Sequence, residues 1–252
     1  MATPISAVIT TYNNAETIER CLASVAWADE IVVLDSFSDD GTDAIAERAG
    51  AVVAREVFRG FGPQKQRAVS LASHDWILLL DADEALDDDL AAAIRAQATD
   101  GLRAPGYRLL RREWLYWRWQ HRWSRCTDHL RLFDRRRIDW SQSPVHAAPR
   151  SAVRTPALRG RLLHWGDSPM AHRIAKLNRY TSLSMEATAP SPVRCLLGVG
   201  LAPAAAFVHD YLLRLGFLSG AAGFCAAGYS AFNAFAKYAK LIEAYRSRSV
   251  NR

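Results

Sequence analysis

The sequence predicts an α/β fold in which a mostly parallel sheet is flanked by helices. Between residues 5 and 98, short apolar segments rich in β-branched residues alternate with amphipathic segments at βαβ spacing. Half of the 252 residues are hydrophobic, which supplies a sizeable core and excludes disordered and fibrous classes. One segment, 76–81, is apolar on both faces, as expected of a central strand.

The first hundred residues alternate strictly between the two kinds of element. Gly50 ends the second helix, Pro63 occupies the favoured first position of the third, and Asp87–Asp89 begin the fourth with acidic residues that suit its dipole. Strands are predicted at 5–11, 31–35, 51–55 and 76–81, and helices at 15–26, 42–50, 63–72 and 87–98.

The sequence changes character after residue 103. Eleven arginines and five tryptophans lie in segment 103–140, and the later part of the chain is apolar and helical in pattern. We predict strands at 107–111, 129–133 and 161–165, a loop at 141–160, a helix at 171–188 and apolar stretches at 195–208 and 215–236.

Charge is distributed unequally along the chain. Residues 1–100 carry a net charge of −11 and residues 101–252 a net charge of +17, so the two parts are expected to face different partners. The four cysteines include no CxxC pair, which disfavours a zinc site and a disulfide framework. No signal peptide precedes the first strand, so we expect the first half to be cytoplasmic. Glycine-rich dinucleotide and P-loop motifs are missing from the sequence.

Polar residues follow three of the predicted strands, where parallel sheets bind ligands. The strand ends are Thr10–Asn13, Asp35 and Asp81–Asp83. Asp81 and Asp83 are two residues apart, so in an extended backbone both project to one side and could bind one Mg²⁺ or Mn²⁺ ion. An acidic turn at the end of a strand is the alternative interpretation.

Asp35 is the second candidate. A carboxylate at a strand end can accept a hydrogen bond from a uracil imide or a ribose hydroxyl. A capping turn is the alternative, and it accounts well for Asp39, Asp40 and Thr42. The polar turn after the first strand also places backbone N–H groups at a helix N-terminus, where anions bind.

Taken together, these segments resemble the family 2 glycosyltransferases, which have the GT-A fold. The order and spacing of the segments match that family, and the details are most similar to the branch that adds a glucose-type sugar to the lipopolysaccharide inner core. The late segments LNRYTSL (177–183) and 211–245 are also similar to that branch. The main matching segments are VITTYNNAETIERCLASV (8–25), IVVLDSFSDDGT (31–42), FGPQKQRAVSLASHDWILLLDADE (61–84) and RLFDRRRIDWSQSPVH (131–146).

The resemblance implies a UDP-sugar donor, inversion at the anomeric carbon and a divalent ion, Mg²⁺ or Mn²⁺, at the DxD-like motif. It implies that Asp83 binds the metal directly, that Asp81 contacts the ribose or the metal, and that Lys65 approaches the uracil or the diphosphate. The remaining nucleotide contacts are implied for Thr11, Tyr12, Asn13 and Asp35. The sequence departs from the branch at Gln66, where Asn is common, and at Ala147, where Glu is usual.

An inverting transfer needs a base that removes the proton of the acceptor hydroxyl. We predict Asp128 or His146 in this role, since the family places a functional Asp just before HLRLF. The alternatives are an Asp128 paired with a nearby arginine and a hydrogen-bonded loop histidine. His164 is a further candidate metal or phosphate ligand, with a core or capping histidine as the alternative.

Segment 103–140 suits a phosphorylated saccharide-lipid acceptor, because Trp stacks on sugars and Arg binds phosphate. Single-stranded nucleic acid and anionic lipid are alternatives. We expect no nucleic acid partner, since the strand-end carboxylates would have no role there. The tail is predicted to lie on the inner leaflet as an interfacial helix pair, with a spanning helix or an oligomer interface as alternatives.

We therefore predict a metal-dependent, inverting glycosyltransferase at the cytoplasmic face of the inner membrane. It would move a sugar, with glucose favoured, from a UDP-sugar to a lipid-anchored saccharide such as the lipopolysaccharide inner core. A polyprenyl-phosphate or other surface-glycan acceptor and a non-catalytic nucleotide-sugar binder are alternatives. Residues 1–100 would bind donor and metal, residues 101–170 the acceptor, and residues 171–252 the membrane.

Overall fold

The computed structural model of the protein describes residues 2–140, 148–166, 170–186 and 192–250. The chain divides into two compact units. The first unit comprises Met1–Arg112 and Thr127–Trp165, and the second comprises Glu113–Cys126 and Gly166–Arg252.

In its described residues, the first unit contains a mixed sheet and four helices. The helices are α1 (Ile18–Ser24), α2 (Thr42–Arg48), α3 (Phe61–Leu71) and α4 (Asp88–Thr99). The strands are β1 (Ile5–Thr11), β2 (Glu30–Asp35), β3 (Val52–Arg55), β4 (Trp76–Asp81), β5 (Glu84–Leu86), β6 (Gly106–Leu115, which continues into the second unit), β8 (Thr127–Asp134), β9 (Asp139–Trp140), β10 (Pro149–Arg150) and β11 (Leu162–His164).

The strand order of the main sheet is β3-β2-β1-β4-β8-β6-β11-β5. The first four strands run parallel, whereas β8 is antiparallel to β4 and to β6. The predicted α/β class is therefore confirmed, together with the four strands predicted in the first hundred residues, and β5 is an additional strand there. The short strands β9 and β10 form a separate antiparallel pair.

Two helices begin two or three residues away from their predicted first residues. The amides of Thr17 and Ile18 both donate to the carbonyl of Asn14, so a turn precedes α1, which starts at Ile18 rather than at residue 15. Helix α3 starts at Phe61, two residues before Pro63. Proline is still tolerated there because the amides of a first helical turn have no intrahelical partner.

The sheet is covered on both faces by apolar side chains. One cluster packs Ile9, Leu78 and Leu80 of the sheet against α1, α2 and α4, and includes Cys21 and Ile94 from those helices. The cluster that includes Val8, Ile77 and Leu79 packs against α3 through Ala68 and Val69. This two-sided burial explains why β4 is apolar on both faces.

The second unit is helical. It contains α5 (Met170–Glu186), α6 (Pro192–Val208) and α7 (Gly220–Val250). A π-helical turn, His209–Leu213, and a 3-10 turn, Gly216–Ser219, separate α6 from α7. The predicted helical C-terminal extension is thus confirmed, but the apolar stretch 215–236 is not one continuous helix. Positive φ angles at Leu215 (59°) and Gly220 (60°) interrupt it.

One helix among the described residues is long and apolar enough to cross a membrane. It covers Cys195–Leu213 with a mean hydropathy of 1.5, and none of its most apolar window is buried inside the protein. Its exposed side chains form what we call the α6 face: Leu196, Leu197, Leu201, Val208, Leu212 and Leu213.

Residues 113–126, here called the tryptophan hairpin, include the end of β6 and β7 (Arg118–Trp119) and belong to the second unit. The hairpin packs on the turns after α6, because the amide of His121 donates to the Ser219 hydroxyl and the Ser124 hydroxyl donates to the Leu215 carbonyl, both at 2.9 Å. The rings of Trp117 and Trp123 remain exposed.

Candidate active site

The carboxyl ends of three parallel strands meet at one edge of the sheet. Thr10 of β1 is aligned with Asp81 of β4, and Thr11 is aligned with Asp35 of β2. The predicted convergence of polar strand ends is therefore confirmed. Parallel pairing produces it, since all three strands run in the same direction and end at the same level.

Asp81 is held between two cations. Its Oδ1 lies 2.6 Å from the Lys65 ammonium of α3, and its Oδ2 lies 2.8 Å from the guanidinium of Arg131 in β8. Burial alone would raise the pKa of Asp81, but the charges of Lys65 and Arg131 outweigh it and hold the pKa well below its usual range. Asp81 is therefore a fixed anion that positions Lys65 and Arg131 at the strand end.

Arg131 also neutralises a second, fully buried carboxylate. Glu84 accepts from Arg131 at 2.9 Å and from the backbone amide of Asp81 at 3.0 Å. Arg111 approaches the same Glu84 oxygen at 3.6 Å. Burial by itself would lower the pKa of Arg131, but Glu84 and Asp81 raise it above its usual value. Neither Arg131 nor Glu84 was among the predicted site residues, although the charge of Arg131 inside the apolar run HLRLF is a signal in the sequence.

A β-bulge in β8 accounts for the position of Arg131. Tyr107 of β6 is paired with Leu132 and Arg108 with Leu130, so Arg131 is the extra residue between two pairs. Bulges redirect a side chain relative to the regular alternation of a strand. Here the redirected side chain meets Asp81 at the end of β4 and Glu84 at the start of β5.

Asp83 is close to His164, and the two side chains are the best candidates for metal ligands. Strand β11 pairs with β5 so that His164 is opposite Glu84, and the His164 Nε2 lies 3.3 Å from the Asp83 Oδ2. The amide of Trp165 donates to the Asp83 carbonyl at 2.9 Å, which fixes this turn against β11.

The predicted set of Asp81, Asp83 and His164 is not assembled as three ligands. Within the described residues, no group of three or more His, Cys, Asp or Glu side chains is arranged to hold a metal ion. Asp83 and His164 nevertheless fit Mn²⁺ or Mg²⁺ chemically. Such an ion takes one or two protein ligands, and phosphate oxygens and water complete its shell.

The loop after β1 is tied to the loop after β2. The amides of Asn13, Asn14 and Ala15 donate to the side chains of Ser38, Thr42 and Asp40, at 2.8–2.9 Å. These three amides are thus bound within the protein. The prediction that this turn offers its backbone amides to an anion is wrong for these three.

The other predicted nucleotide contacts differ in exposure. Tyr12 is 60% exposed, whereas Thr11 is buried and its hydroxyl donates to the Asn14 side chain at 3.1 Å. Asp35 is fully buried and accepts from the amide of Ser38 at 2.8 Å and from the Ser38 hydroxyl. The Asp35 carboxylate therefore stabilises the turn after β2, as the capping interpretation expects, and its contact with a nucleotide stays a prediction.

Asp128 is paired with an arginine. The Arg108 guanidinium donates to both Asp128 oxygens, at 2.7 and 2.9 Å. These hydrogen bonds lower the pKa of Asp128, which makes it a weaker base. The second predicted base, His146, lies in 141–147, outside the described residues, as does Ala147.

The chain is similar in sequence to known proteins. The family model "Glycosyl transferase family 2" matches residues 6–160. The lipopolysaccharide core biosynthesis glycosyltransferase LpsC of Rhizobium meliloti is 31% identical over 251 residues, which is 95% of this chain and 92% of LpsC. An uncharacterized glycosyltransferase of Rickettsia felis is 48% identical over 87 residues, 34% of this chain and 31% of that protein.

Among solved structures, S. aureus TarS is 24% identical with a TM-score of 0.39, over 44% of this chain and 22% of TarS. Glucosyl-3-phosphoglycerate synthase from Mycobacterium tuberculosis, in complex with Mn²⁺, UDP and glucosyl-3-phosphoglycerate, is 26% identical with a TM-score of 0.35, over 44% of each chain.

Proposed function

The chain belongs to glycosyl transferase family 2, and from this premise we propose that it transfers a sugar from a UDP-sugar to a lipid-anchored saccharide of the lipopolysaccharide inner core type. Glucose is the proposed sugar, and the transfer inverts the anomeric carbon. The observation that carries the proposal is the strand-end cluster, in which Lys65 and Arg131 hold Asp81 while Asp83 meets His164. The similarity to LpsC over most of both chains supports the type of acceptor.

We propose that each group of the cluster has a separate task. Asp83 and His164 would hold Mn²⁺ or Mg²⁺, which would supply the positive charge that stabilises a departing diphosphate. Asp81 would orient Lys65 toward the nucleotide, since its oxygen lies 2.6 Å from the ammonium. The exposed Tyr12 ring would cover the uracil of the nucleotide, and Thr11, Asn13 and Asp35 would shape the loop around it.

The proton acceptor is proposed to be Asp128 or His146. These candidates predict different pH profiles, because a histidine base is lost below about pH 6.5 whereas a carboxylate with a lowered pKa stays ionised there. If Asp128 is the base, Asp128→Asn lowers kcat by about 100-fold or more and the rate of the wild type stays flat down to pH 5. A wild-type rate that falls below pH 6.5, together with an active Asp128→Asn variant, would assign the role to His146.

The second unit is proposed to attach the enzyme to the cytoplasmic face of the membrane. The α6 face exposes large apolar side chains, of which Leu196 is 70% and Leu201 67% exposed. Trp117 and Trp123 on the tryptophan hairpin, beside Arg118 and Arg122, match the aromatic and basic residues that favour the interface of an anionic bilayer. An interfacial position is favoured over a spanning one, because the hairpin packs on the turns that connect α6 to α7.

A donor screen tests the proposed function. Purified enzyme is given UDP-glucose, UDP-galactose or UDP-N-acetylglucosamine with Mn²⁺, Mg²⁺ or EDTA, and UDP release is followed with lipopolysaccharide core or polyprenyl phosphate as acceptor. We expect release from UDP-glucose that needs the metal and increases with the lipopolysaccharide core. Release that increases only with polyprenyl phosphate would replace the proposed acceptor, and release that is unchanged by EDTA would contradict the metal site.

A further inference from the structure

A separate cleft in the first unit is lined by arginines. Its volume is about 480 Å³, and it lies between the start of β8 and segment 149–157, which begins with β10. Arg108, Arg150 and Arg154 line it, and Asp128 is the one carboxylate among the described residues of its wall. Leu130, Val153 and Pro156 supply apolar surface.

The segment that carries two of these arginines is anchored at both ends. Arg150 is paired with Asp139 in the β9–β10 ladder. At the other end, the Arg108 amide donates to the Pro156 carbonyl at 2.8 Å and the Leu158 amide donates to the Arg108 carbonyl at 3.0 Å. Gly160 follows with a φ of 99°, and a Cβ at this glycine would lie 2.2 Å from the Leu90 nitrogen, so the close approach to α4 requires glycine. The cleft is therefore a built feature of the fold.

The arginines of the cleft differ in their charge partners. Arg108 is neutralised by the bidentate pair with Asp128. Arg150 and Arg154 form no ion pair with any described carboxylate, including Asp139 on the neighbouring strand. Among the described residues, two arginines without an ion-pair partner thus line one cleft. A guanidinium fork binds two oxygens of a phosphate, and a phosphate monoester carries nearly two negative charges that two such forks can neutralise.

We propose that this cleft binds a phosphate monoester carried by the acceptor saccharide. The proposal rests on the proposed function, which it deepens by naming the group that selects the acceptor. Asp128 precedes Arg131 by three residues on β8. The cleft therefore lies about 10 Å along this strand from the strand-end cluster. A saccharide whose phosphate occupies the cleft can therefore present a neighbouring hydroxyl to the donor.

The test compares two acceptors with three enzymes. The acceptors are a lipid-free phosphorylated core oligosaccharide and the same oligosaccharide after phosphatase treatment, which separates a sugar phosphate from a lipid headgroup. The enzymes are the wild type, Arg150→Gln/Arg154→Gln, and the control Arg95→Gln/Arg159→Gln, which removes the same charge from exposed positions on and beside α4. Steady-state kinetics give KM and kcat for each acceptor, and calorimetry without donor gives binding.

The expected result is a preference of the wild type and the control for the phosphorylated acceptor, by about 100-fold in KM, or about tenfold for each guanidinium. In Arg150→Gln/Arg154→Gln we expect this preference to fall below about threefold, with kcat for the phosphorylated acceptor retained. An equal loss with both acceptors, or an undiminished preference, would overturn the proposal.

Calorimetry separates failure of this inference from failure of the proposed function. If no UDP-sugar supports transfer, the proposed function fails, but tight binding of the phosphorylated oligosaccharide that the cleft variant loses would still support the phosphate site. If the wild type binds both oligosaccharides equally, the phosphate site is wrong even when transfer occurs. Circular dichroism confirms that the cleft variant is folded, and Arg150→Lys/Arg154→Lys is expected to restore part of the preference because it restores charge without the fork.

Discussion

The strand-end cluster of the first unit and the α6 face of the second unit are both unusual in burial, but in opposite ways: the first buries charged side chains and the second exposes apolar ones. The cluster buries charge: Glu84 is fully buried and Arg131 is 6% exposed. The α6 face exposes apolar surface, with Leu196, Leu197 and Leu201 each more than half exposed. Buried charges need partners, and exposed apolar patches usually mark an interaction site.

The difference shows which region is stabilised by partners within the protein and which one needs a partner outside it. In the cluster, Lys65, Arg131, Asp81 and Glu84 neutralise one another through ion pairs of 2.6–2.9 Å. The cluster is therefore complete within the protein before any ligand arrives. The apolar side chains of the α6 face are not covered by the described residues, and an anionic bilayer would remove them from water.

The largest expected effect sharpens the catalytic side of this comparison. Asp83→Asn should lower metal-dependent transfer by about 1,000-fold, since a bound ion contributes several kcal/mol of charge stabilisation in the transition state. Initial rates at saturating UDP-glucose and Mn²⁺ measure the loss. Asp88→Asn, an identical change at an exposed position in the first turn of α4, is the control and should stay within twofold of the wild type. Full metal-dependent activity of Asp83→Asn would contradict the site.

The next largest expected effect is a loss of stability when one positive charge of the cluster is removed. Arg131→Met should reduce the free energy of unfolding by about 3 kcal/mol, because it leaves Glu84 and Asp81 with too little positive charge. Urea unfolding followed by tryptophan fluorescence measures it, with Arg95→Met at an exposed helix position as control. Arg131→Lys should recover part of the loss. A Met variant as stable as the wild type would show that the cluster does not depend on Arg131.

The third effect tests the apolar side. Leu197→Ser/Leu201→Ser should weaken binding to vesicles of phosphatidylglycerol and phosphatidylcholine by at least about tenfold, since each leucine contributes about 1.5 kcal/mol or more when it leaves water. Sedimentation of the enzyme with vesicles measures this. Transfer to a lipid-free acceptor should be retained. Unchanged vesicle binding, or a change of oligomeric state in gel filtration instead, would assign the face to a protein contact.

The smallest effect concerns pH. The pKa of Asp81 is lower in the folded chain than the value of about 3.9 in an unfolded one, so its ionisation stabilises the fold above that pH and the contribution is lost as the pH falls below it. The difference in unfolding free energy between the wild type and Asp81→Asn should be about 1 kcal/mol at pH 6, allowing for partial exposure, and should shrink toward pH 3. A difference that is constant with pH would contradict the role of this ionisation.

The sequence predicted the parts of the site that lie at the carboxyl ends of the parallel strands. Asp81 and Asp83 follow a continuous apolar run, so both their position and their common edge with Thr10 and Asp35 could be inferred from strand pattern and parallel pairing. The structure places Lys65 2.6 Å from Asp81, and its contact with the nucleotide, which the family resemblance implies, stays a prediction. The loop of Asn13 was predicted, but the use of its amides was not, because Ser38 and Asp40 compete for them from another loop.

The sequence by itself determined the order of strands and helices and the carboxylates at the end of β4, because hydrophobic periodicity and turn chemistry act between near neighbours. Only the tertiary structure decided which arginine and which histidine contact these carboxylates. Arg131 lies 50 positions from Asp81 along the chain and reaches it through a bulge in an antiparallel pairing. His164 reaches Asp83 through the register of β11 on β5. Such contacts depend on register and on bulges between distant segments, which no local pattern specifies.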